Sequence, residues 1–544
     1  MNFNSMLTMS ISLILLSISM FMLFNNTFLY FTIPMENMLS FQVQLSSMLD
    51  WMSCLFMSTV LMISSMIMVF SMYYIPKNEH KQFHLMLLMF ILSMMILILS
   101  NNLFLMLLGW DMLGVSSYIL VIYYQNWSTA SCGSITLLTN RIGDIMILLS
   151  ISMLMLTLSW ELNMNEMFPL LILIMLMLAS CTKSAQFPFS AWLPMAMSAP
   201  TPISALVHSS TLVTAGIYLM IRITTNIHPF ILISLMFISS ITALYAGLSA
   251  NWEQDLKKII ALSTLSQMAM MMFAISIKSS SLSYFHLIIH AYFKSLMFMC
   301  AGILIHESSY QDMRLMSNSN YNPSINSTLA LTNMALMGLP FTSGFFSKDN
   351  IIEFMINSKL ETTLSLMMIL SIGMTSSYSL RMMYLSSKLL IKSKPDSFNH
   401  TSIYSNSPMM MMSIMPLILG TSMLWMMKPQ NMFIFPNHYK FLITITLIMG
   451  FMTGMLLSFK SFIYKSMGQF SLSLWFTHII STKLFNRWFP MMIISFNNDK
   501  NWQEMYGPNN SFKQTMKSIM IPESTKSSTL MMLLMISLIP IMMI

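Results

Sequence analysis

Ionisable side chains inside long apolar stretches are the residues of this sequence that could do chemistry. An ionisable group surrounded by hydrocarbon costs about 2.5–3.5 kcal/mol on insertion scales, so such groups are typically retained for a purpose. The set mixes acids, bases and imidazoles, as a path for protons requires, and no nucleophile–base triad stands out. Its members are Asp111, Arg141, Asp144, Lys183, His208, Lys257, His286, His290, Lys294 and Lys348.

A stripe of three bases is predicted on one helix. His286, His290 and Lys294 are spaced four residues apart and therefore share a helical face. Two histidines at i and i+4 can bind zinc, but the apolar residues between them offer no acid or base to complete such a site. Imidazole titrates at about pH 6.5, so the stripe suits stepwise proton transfer. Polar packing between helices is the alternative.

Asp111 lies in the middle of an apolar run, where burial disfavours its charge unless a cation is close. Lys183 is the strongest candidate for that cation. Two unit charges about 4 Å apart attract by about 4 kcal/mol at an effective dielectric constant near 20, so breaking the pair would promote proton release. A fixed ion pair that locks two helices is the alternative. Arg141 and Asp144, three residues apart, can pair locally, either for mutual neutralisation or for function.

Two interruptions of the helical pattern carry a lysine each. One spans 179–188, contains Lys183 and is followed by three further prolines. The other spans 338–349 and contains Lys348 beside glycine and proline. Paired broken helices are typical of transporters built from structural repeats, whose ion sites lie at the breaks. Two kinks with lysines that extend to the membrane surface are the alternative.

The composition requires a membrane to position these groups. Of 544 residues, 56% are hydrophobic and 8% charged, against roughly 25% charged in soluble domains. Soluble enzymes, disordered tails and disulfide scaffolds are therefore excluded. We predict an all-α polytopic membrane protein with about 15–16 transmembrane helices. The apolar stretches are 6–24, 48–72, 83–99, 103–124, 134–158, 167–182, 203–225, 230–250, 258–277, 282–305, 325–345, 363–384, 409–427, 440–459 and 527–544.

The segments between these stretches differ in character. Residues 28–47 are predicted to be extended and to lie at the membrane surface. Residues 460–526 alternate basic and aromatic side chains, which favours a segment lying along the interface, with a loosely ordered loop as the alternative.

Codon-biased composition indicates the compartment. Methionine occurs 70 times and glycine 15 times, which suggests an A/T-rich genome that reads an extra codon as methionine, as in a mitochondrion. The chain opens directly into an apolar run without a transit peptide, which favours synthesis inside the organelle. The four cysteines show no paired spacing, and the net charge of +8 is modest and spread out, so no nucleic-acid partner is expected.

Several motifs together resemble the antiporter-like membrane subunits of respiratory complex I. The resemblance covers nearly the whole chain and is strongest over 100–350, where Gly109-Trp-Asp-Met-Leu-Gly114 is one example. Lys348 and the long tail with its extra span resemble the chain 5 branch of that family. The matching stretches are 109–118, 182–194, 199–208, 255–267, 286–294 and 344–349.

The resemblance implies two inverted five-helix repeats, each with a broken helix, a lateral helix and a final anchor. It implies that Asp111 and Lys183 form a coupling ion pair and that Lys348 is the outlet. His208, Lys257, His286, His290 and Lys294 would form the central hydrated axis, supported by Arg141, Asp144 and Asp349. The implied segments are 1–99 N-terminal helices, 100–225 first repeat, 226–385 second repeat, 386–460 additional helices, 461–526 lateral helix and 527–544 anchor.

The implied activity is proton translocation across the mitochondrial inner membrane, coupled to electron transfer from NADH to ubiquinone. The chain would bind no cofactor or metal, because NADH, FMN, iron–sulfur clusters and ubiquinone belong to other subunits. Implied partners are the antiporter-like chains 4 and 2, accessory subunits and lipids including cardiolipin. A stand-alone Mrp-type cation/proton antiporter subunit and a non-pumping structural strut are the alternatives.

Two positions depart from the family pattern. Many members carry glutamate where this chain has Asp111, so we expect a looser hold on Lys183. Pro490 and the pair Gly507-Pro508 interrupt the stretch where the lateral helix is expected.

Overall fold

The computed structural model describes the chain from residue 2 to residue 459 with short gaps, and a few residues beyond. The described ranges are 2–38, 41–154, 160–162, 169–224, 227–316, 323–357, 362–387, 402–426, 437–459, 468, 470, 490–499, 510–511, 513 and 532. Contacts divide the chain into two units, Met1–Trp475 and Phe476–Ile544. Within the second unit, residues 490–499 are helical and exposed, and Pro490 belongs to that helix.

The chain begins with a helix and a hairpin. Helix α1 (Asn2–Asn25) is followed by the antiparallel strands β1 (Leu29–Met38) and β2 (Phe41–Leu49). Leu29 pairs with Leu49, and the register shifts between Pro34 and Asn37, where proline cannot donate to the ladder. The prediction of an extended conformation over 28–47 is thus confirmed for the described residues 29–38 and 41–47, and the location at the membrane surface stays a prediction.

Four long apolar helices follow the hairpin. They are α2 (Trp51–Tyr74), α3 (His80–Leu99), α4 (Leu103–Val121) and α5 (Trp127–Leu154). Helix α4 begins where the Asn102 side chain accepts a hydrogen bond from the backbone N–H of Phe104, which satisfies one free donor of the first turn. Helix α3 packs against α4 and α4 against α5, so the segments that carry Asp111 and Asp144 lie side by side.

The first predicted break is present. Helix α6 (Leu170–Lys183) ends at Lys183, and the chain continues through the short helices α7 (Trp192–Met195) and α8 (Thr201–Ile203). A π-helical segment, Ser204–Thr211, then leads into α9 (Leu212–Ile223). π-Helical turns are rare and often occur at functional sites. The sequence did not predict this one, which contains His208.

Three helices complete the centre of the first unit. They are α10 (Pro229–Trp252), α11 (Leu256–Ser276) and α12 (Ser280–Ser308). The most apolar windows of α11 and α12 are completely buried inside the protein. Polar side chains on these two helices therefore face other helices and not lipid.

The second predicted break is also present, but its boundaries correct the sequence reading. Helix α13 (Pro323–Met337) ends earlier than the predicted stretch 325–345, and α14 (Ser343–Asn357) is a separate helix that was not predicted. The chain leaves α13 through Gly338, whose φ of +82° is unfavourable for residues with a side chain.

The remaining described helices are α15 (Thr362–Ser387), α16 (Ile403–Met426) and α17 (Asn437–Phe459). Twelve helical spans of the described residues are long and apolar enough to cross a membrane. The protein is an all-α polytopic membrane protein. Fourteen of the fifteen predicted stretches overlap helices. Apart from Met532, the stretch 527–544 lies outside the described residues, as does most of 461–526, and the repeat boundaries stay predictions.

Candidate functional site

The predicted ionisable residues separate into a buried row and a half-exposed pair. The side chains of Asp111 and Arg141 are 36% and 43% exposed, and Asp349 is partly exposed. The other eight are no more than 4% exposed. These are Asp144, Lys183, His208, Lys257, His286, His290, Lys294 and Lys348, here called the buried row.

A cluster of three charges lies between α4 and α5. Arg141 Nη1 is 3.2 Å from Asp144 Oδ2, which confirms the local pair. The same nitrogen lies 3.5 Å from Asp111 Oδ1 on the neighbouring helix. Arg141 therefore bridges two carboxylates.

The predicted direct pair between Asp111 and Lys183 is wrong for this structure. Lys183 Nζ donates instead to the carbonyl of Trp110 at 3.2 Å and lies 5.1 Å from the centre of its ring. A Cβ added at Gly114 would lie 3.6 Å from Nζ, so the lysine meets α4 on the Trp110–Gly114 side. Asp111 is one residue further along, about 100° around the helix, where it faces Arg141.

Helices α5 and α6 cross closely next to Asp144 and Lys183. A Cβ at Gly143 would lie 2.2 Å from Thr182 Oγ1 and 3.4 Å from the Ala179 carbonyl oxygen, so the helices cross at the glycine. The residues that follow Gly143 and Thr182 in the sequence are Asp144 and Lys183. The glycine thus brings the acid and the base to the same crossing.

Trp192 lies between the first break and the π-helical segment. Its indole N–H donates to the Thr182 carbonyl at 3.0 Å, and its ring centre is 6.2 Å from that of His208. His208 is 1% exposed, and neither ring nitrogen has a hydrogen-bond partner among the described residues. Buried polar groups are nearly always satisfied by protein or by ordered water. We therefore expect water to be the hydrogen-bond partner of this imidazole.

The two lysines at the start of α11 have different environments. Lys257 Nζ is buried and donates to the Ala199 carbonyl at 3.1 Å, so this side chain faces the interior. Lys258 forms a partly exposed ion pair with Asp255 at 3.0 Å.

The predicted stripe on α12 lies on one face, as expected. Lys294 Nζ donates to Ser263 Oγ on α11. The ring centres of His286 and His290 are 6.2 Å apart. Both nitrogens of His290 lack a partner among the described residues, as in His208. The stripe therefore combines one anchored lysine with an imidazole that is free to bond water.

His286 connects the stripe to the second break. Its Nδ1 lies 2.8 Å from Ser347 Oγ on α14, and its Nε2 lies 3.1 Å from Gln267 Oε1 on α11. The residue after Ser347 is Lys348, which is fully buried and donates to the Leu336 carbonyl. The two ends of the row are thus held at the two breaks.

Several neutral polar residues of the site were missed by the sequence reading. Gln267, Ser263 and Ser347 bond the buried bases directly. Tyr378 Oη lies 3.3 Å from Ser266 Oγ. Asn333 is completely buried, and its side-chain nitrogen and oxygen have no partner among the described residues. The signal that could have found them is a polar side chain in an apolar helix.

Other chemistry has little support in the described part of the chain. No group of three or more histidine, cysteine or acidic side chains there could hold a metal ion. The four cysteines are free thiols, of which Cys54, Cys181 and Cys300 are buried.

Comparison with known protein families assigns almost the whole chain. Residues 36–84 match the family described as NADH-ubiquinone oxidoreductase (complex I), chain 5 N-terminus. Residues 100–375 match NADH:quinone oxidoreductase/Mrp antiporter, and residues 378–544 match NADH dehydrogenase subunit 5 C-terminus.

Curated relatives named NADH-ubiquinone oxidoreductase chain 5 cover similar lengths. The protein from Aedes aegypti is 40% identical over 86% of this chain and 84% of its own. That from Locusta migratoria is 41% identical over 81% of each chain, and that from Lumbricus terrestris is 38% identical over 91% and 89%.

A solved structure shares the fold. The Mrp complex from a Dietzia species contains a chain that is 20% identical and superposes with a TM-score of 0.68. The match covers 99% of the present chain and 60% of the Dietzia chain. Broken apolar helices, a buried row of bases and matches to all three family descriptions agree, and the chain belongs to the chain 5 family of NADH-ubiquinone oxidoreductase.

Proposed function

We propose that this chain translocates protons in the mitochondrial inner membrane as a membrane subunit of NADH-ubiquinone oxidoreductase. Electron transfer from NADH to ubiquinone on other subunits would supply the energy. The observation that carries the proposal is the buried row itself. Eight ionisable side chains, each at most 4% exposed, lie within or at the breaks of helices that are otherwise apolar. So many buried charges are costly unless they are used.

The contacts suggest the order of the path. Its first part is Lys183, then Trp192 beside His208, where unpartnered ring nitrogens would hold water. Lys257 follows, anchored on the Ala199 carbonyl in the connection between α7 and α8, and then Lys294, anchored on the Ser263 hydroxyl of α11. The last part of the path follows the contacts in the order His290, His286, Ser347 and Lys348.

Coupling would occur at the cluster of Asp111, Arg141 and Asp144. In the observed arrangement Arg141 lies within ion-pair distance of the carboxylates of both Asp111 and Asp144. If Arg141 moved away, Asp144 would be left to interact with Lys183 alone. A charge pair about 4 Å apart at an effective dielectric constant near 20 is worth about 4 kcal/mol. That energy is close to a thousandfold change in a binding equilibrium, enough to decide whether Lys183 keeps its proton.

Partners and cofactors are proposed from the family membership. The chain itself would bind no redox cofactor, and NADH, FMN, iron–sulfur clusters and ubiquinone would be bound by other subunits. Its neighbours would be the antiporter-like chains 4 and 2, accessory subunits and membrane lipids.

The test is Lys183→Met in the assembled complex, reconstituted in sealed vesicles. Proton translocation and NADH oxidation are measured together, and Lys258→Met is the matched control because Lys258 is paired at the surface. We expect a lower ratio of protons to electrons for Lys183→Met and an unchanged ratio for the control. An unchanged ratio in both variants would refute the proposal.

Two further measurements separate the other functions. If several members of the buried row can be replaced by apolar residues without loss of pumping, the chain is a strut. If the native protein migrates on gels apart from any NADH-oxidising assembly, it is a free-standing antiporter.

A further inference from the structure

A tyrosine-rich cavity lies at one end of α2, α3 and α4, and no residue of the buried row lines it. Its volume is about 690 Å³. The C-terminal ends of α2 and α4 and the first turns of α3 form its walls. The lining residues are Tyr74, Ile75, Pro76, Glu79, Gln82, Met86, Tyr118, Ile119, Ile122, Tyr123, Tyr124 and Gln125.

Two of the tyrosine rings form perpendicular walls. The ring centres of Tyr123 and Tyr124 are 5.7 Å apart, with an angle of 73° between the planes. Tyr123 is held from behind by the buried ring of Phe83, whose centre is 5.4 Å away. Its hydroxyl donates to the carboxylate of Glu79. Burial and this hydrogen bond raise the pKa of Tyr123, so the hydroxyl stays protonated and the ring keeps its position.

The cavity favours a positive charge. Among the lining residues that the structure describes, Glu79 is the one with an acidic side chain, and none is a lysine or an arginine. The C-terminal ends of α2 and α4 add the negative ends of two helix dipoles, against one positive end from the N-terminus of α3. Aromatic faces arranged around a cation are the usual means of recognising quaternary ammonium groups, which have no N–H to donate.

An exposed apolar strip continues from the cavity along α3 and α4. Met86 and Ile119 line the cavity on its apolar side. Further along the helices, Leu85 and Met89 of α3 and Val115 of α4 are 64%, 51% and 42% exposed. A ligand with a cationic head and long hydrocarbon chains could therefore place its head in the cavity and its chains along the strip.

We propose that this cavity binds the trimethylammonium headgroup of a membrane phosphatidylcholine, with its acyl chains along the strip between α3 and α4. Tyr123, Tyr124 and the carboxylate of Glu79 contact the cation. Exposed lysines on both sides of Glu79, Lys77 and Lys81, are available to the lipid phosphate. The lipid site does not depend on the proton path, so it can be tested and refuted independently of the proposed function.

The test uses the full chain in its native membrane assembly, exchanged into nanodiscs of equal phosphatidylcholine and phosphatidylethanolamine. A photoactivatable phosphatidylcholine is crosslinked, and labelled peptides of α3 and α4 are quantified by mass spectrometry. Tyr124→Leu removes one aromatic wall and should reduce labelling about tenfold. Tyr124→Phe keeps the ring and should label like the wild type. Tyr404→Leu, at an exposed tyrosine outside the cavity, is the control and should also label normally.

Three results would overturn the proposal. The first is equal labelling of the wild type and Tyr124→Leu. The second is equal labelling by a photoactivatable phosphatidylethanolamine, which would show that the cavity does not select a quaternary ammonium. The third is complete displacement of the lipid probe by millimolar choline chloride, which would assign the site to a soluble quaternary ammonium compound and not to a lipid.

Discussion

Replacing Gly344 by alanine should displace Lys348 from its position in the buried row. An added Cβ would lie 1.8 Å from the backbone oxygen of Ala335, where ordinary contact begins at 3.4 Å, so the two helices must separate by up to about 1.6 Å. The obstacle is backbone, and no rotamer change can relieve it. Overpacking of this kind typically costs about 1–3 kcal/mol. Lys348 follows on the same helix and donates to Leu336, the residue after Ala335, so this contact is lost first.

The expected result is a partial defect of pumping in a complex that still assembles. A displacement of about 1 Å at a reacting group can reduce a rate by about a hundredfold. The assay is proton uptake by sealed vesicles, normalised to NADH oxidation, together with the thermal midpoint of the complex. Gly373→Ala is the matched control, because its Cβ would meet the Thr446 carbonyl oxygen at 3.3 Å, so a shift of only about 0.1 Å restores ordinary contact. If Gly344→Ala pumps normally and melts at the wild-type temperature, the placement of Lys348 does not depend on this crossing.

Two other substitutions test how buried polar groups are stabilised. Asp50→Asn should destabilise the chain by about 1.5–3 kcal/mol, because the half-buried Arg222, now 2.5 Å from the Asp50 carboxylate, loses a charge-assisted hydrogen bond. Thermal unfolding measures this, and Asp312→Asn, which breaks an exposed pair, should shift the midpoint little. Gln267→Leu should cost about 1–3 kcal/mol, because Nε2 of His286 loses its partner. An unchanged midpoint for Gln267→Leu would mean that water replaces the amide.

The positions of the breaks and of most helices could be predicted because their causes are local. Glycine and proline beside Lys183 and Lys348 interrupt helices wherever the rest of the chain lies. The burial of the His286–Lys294 stripe follows from its spacing and from the apolar residues on every other face. The transmembrane spans could be predicted from length and hydropathy because these are also local properties of the sequence. These features needed no information about which helix packs against which.

The partners of the buried charges could not be predicted because they depend on the rotation of packed helices. Trp110 and Asp111 are neighbours in the sequence, yet only Trp110 meets Lys183, and the carboxylate turns to Arg141. No periodicity distinguishes these two residues in a helix that is apolar on all sides. The separate helix α14 was missed because Gly344 and Lys348 were read as part of one break.

The bridge formed by Arg141 constrains the proton release that we propose at Lys183. Two carboxylates and two cations make the group of Asp111, Arg141, Asp144 and Lys183 neutral when all are ionised. If Lys183 alone lost its proton, a net negative charge would remain where Asp144 is almost completely buried, and low-dielectric surroundings oppose that state. Protonation of a carboxylate, or the arrival of another cation, restores neutrality. In the function we propose, proton release at Lys183 is therefore tied to charge entering the cluster, which is the property that a coupled pump needs and a passive channel lacks.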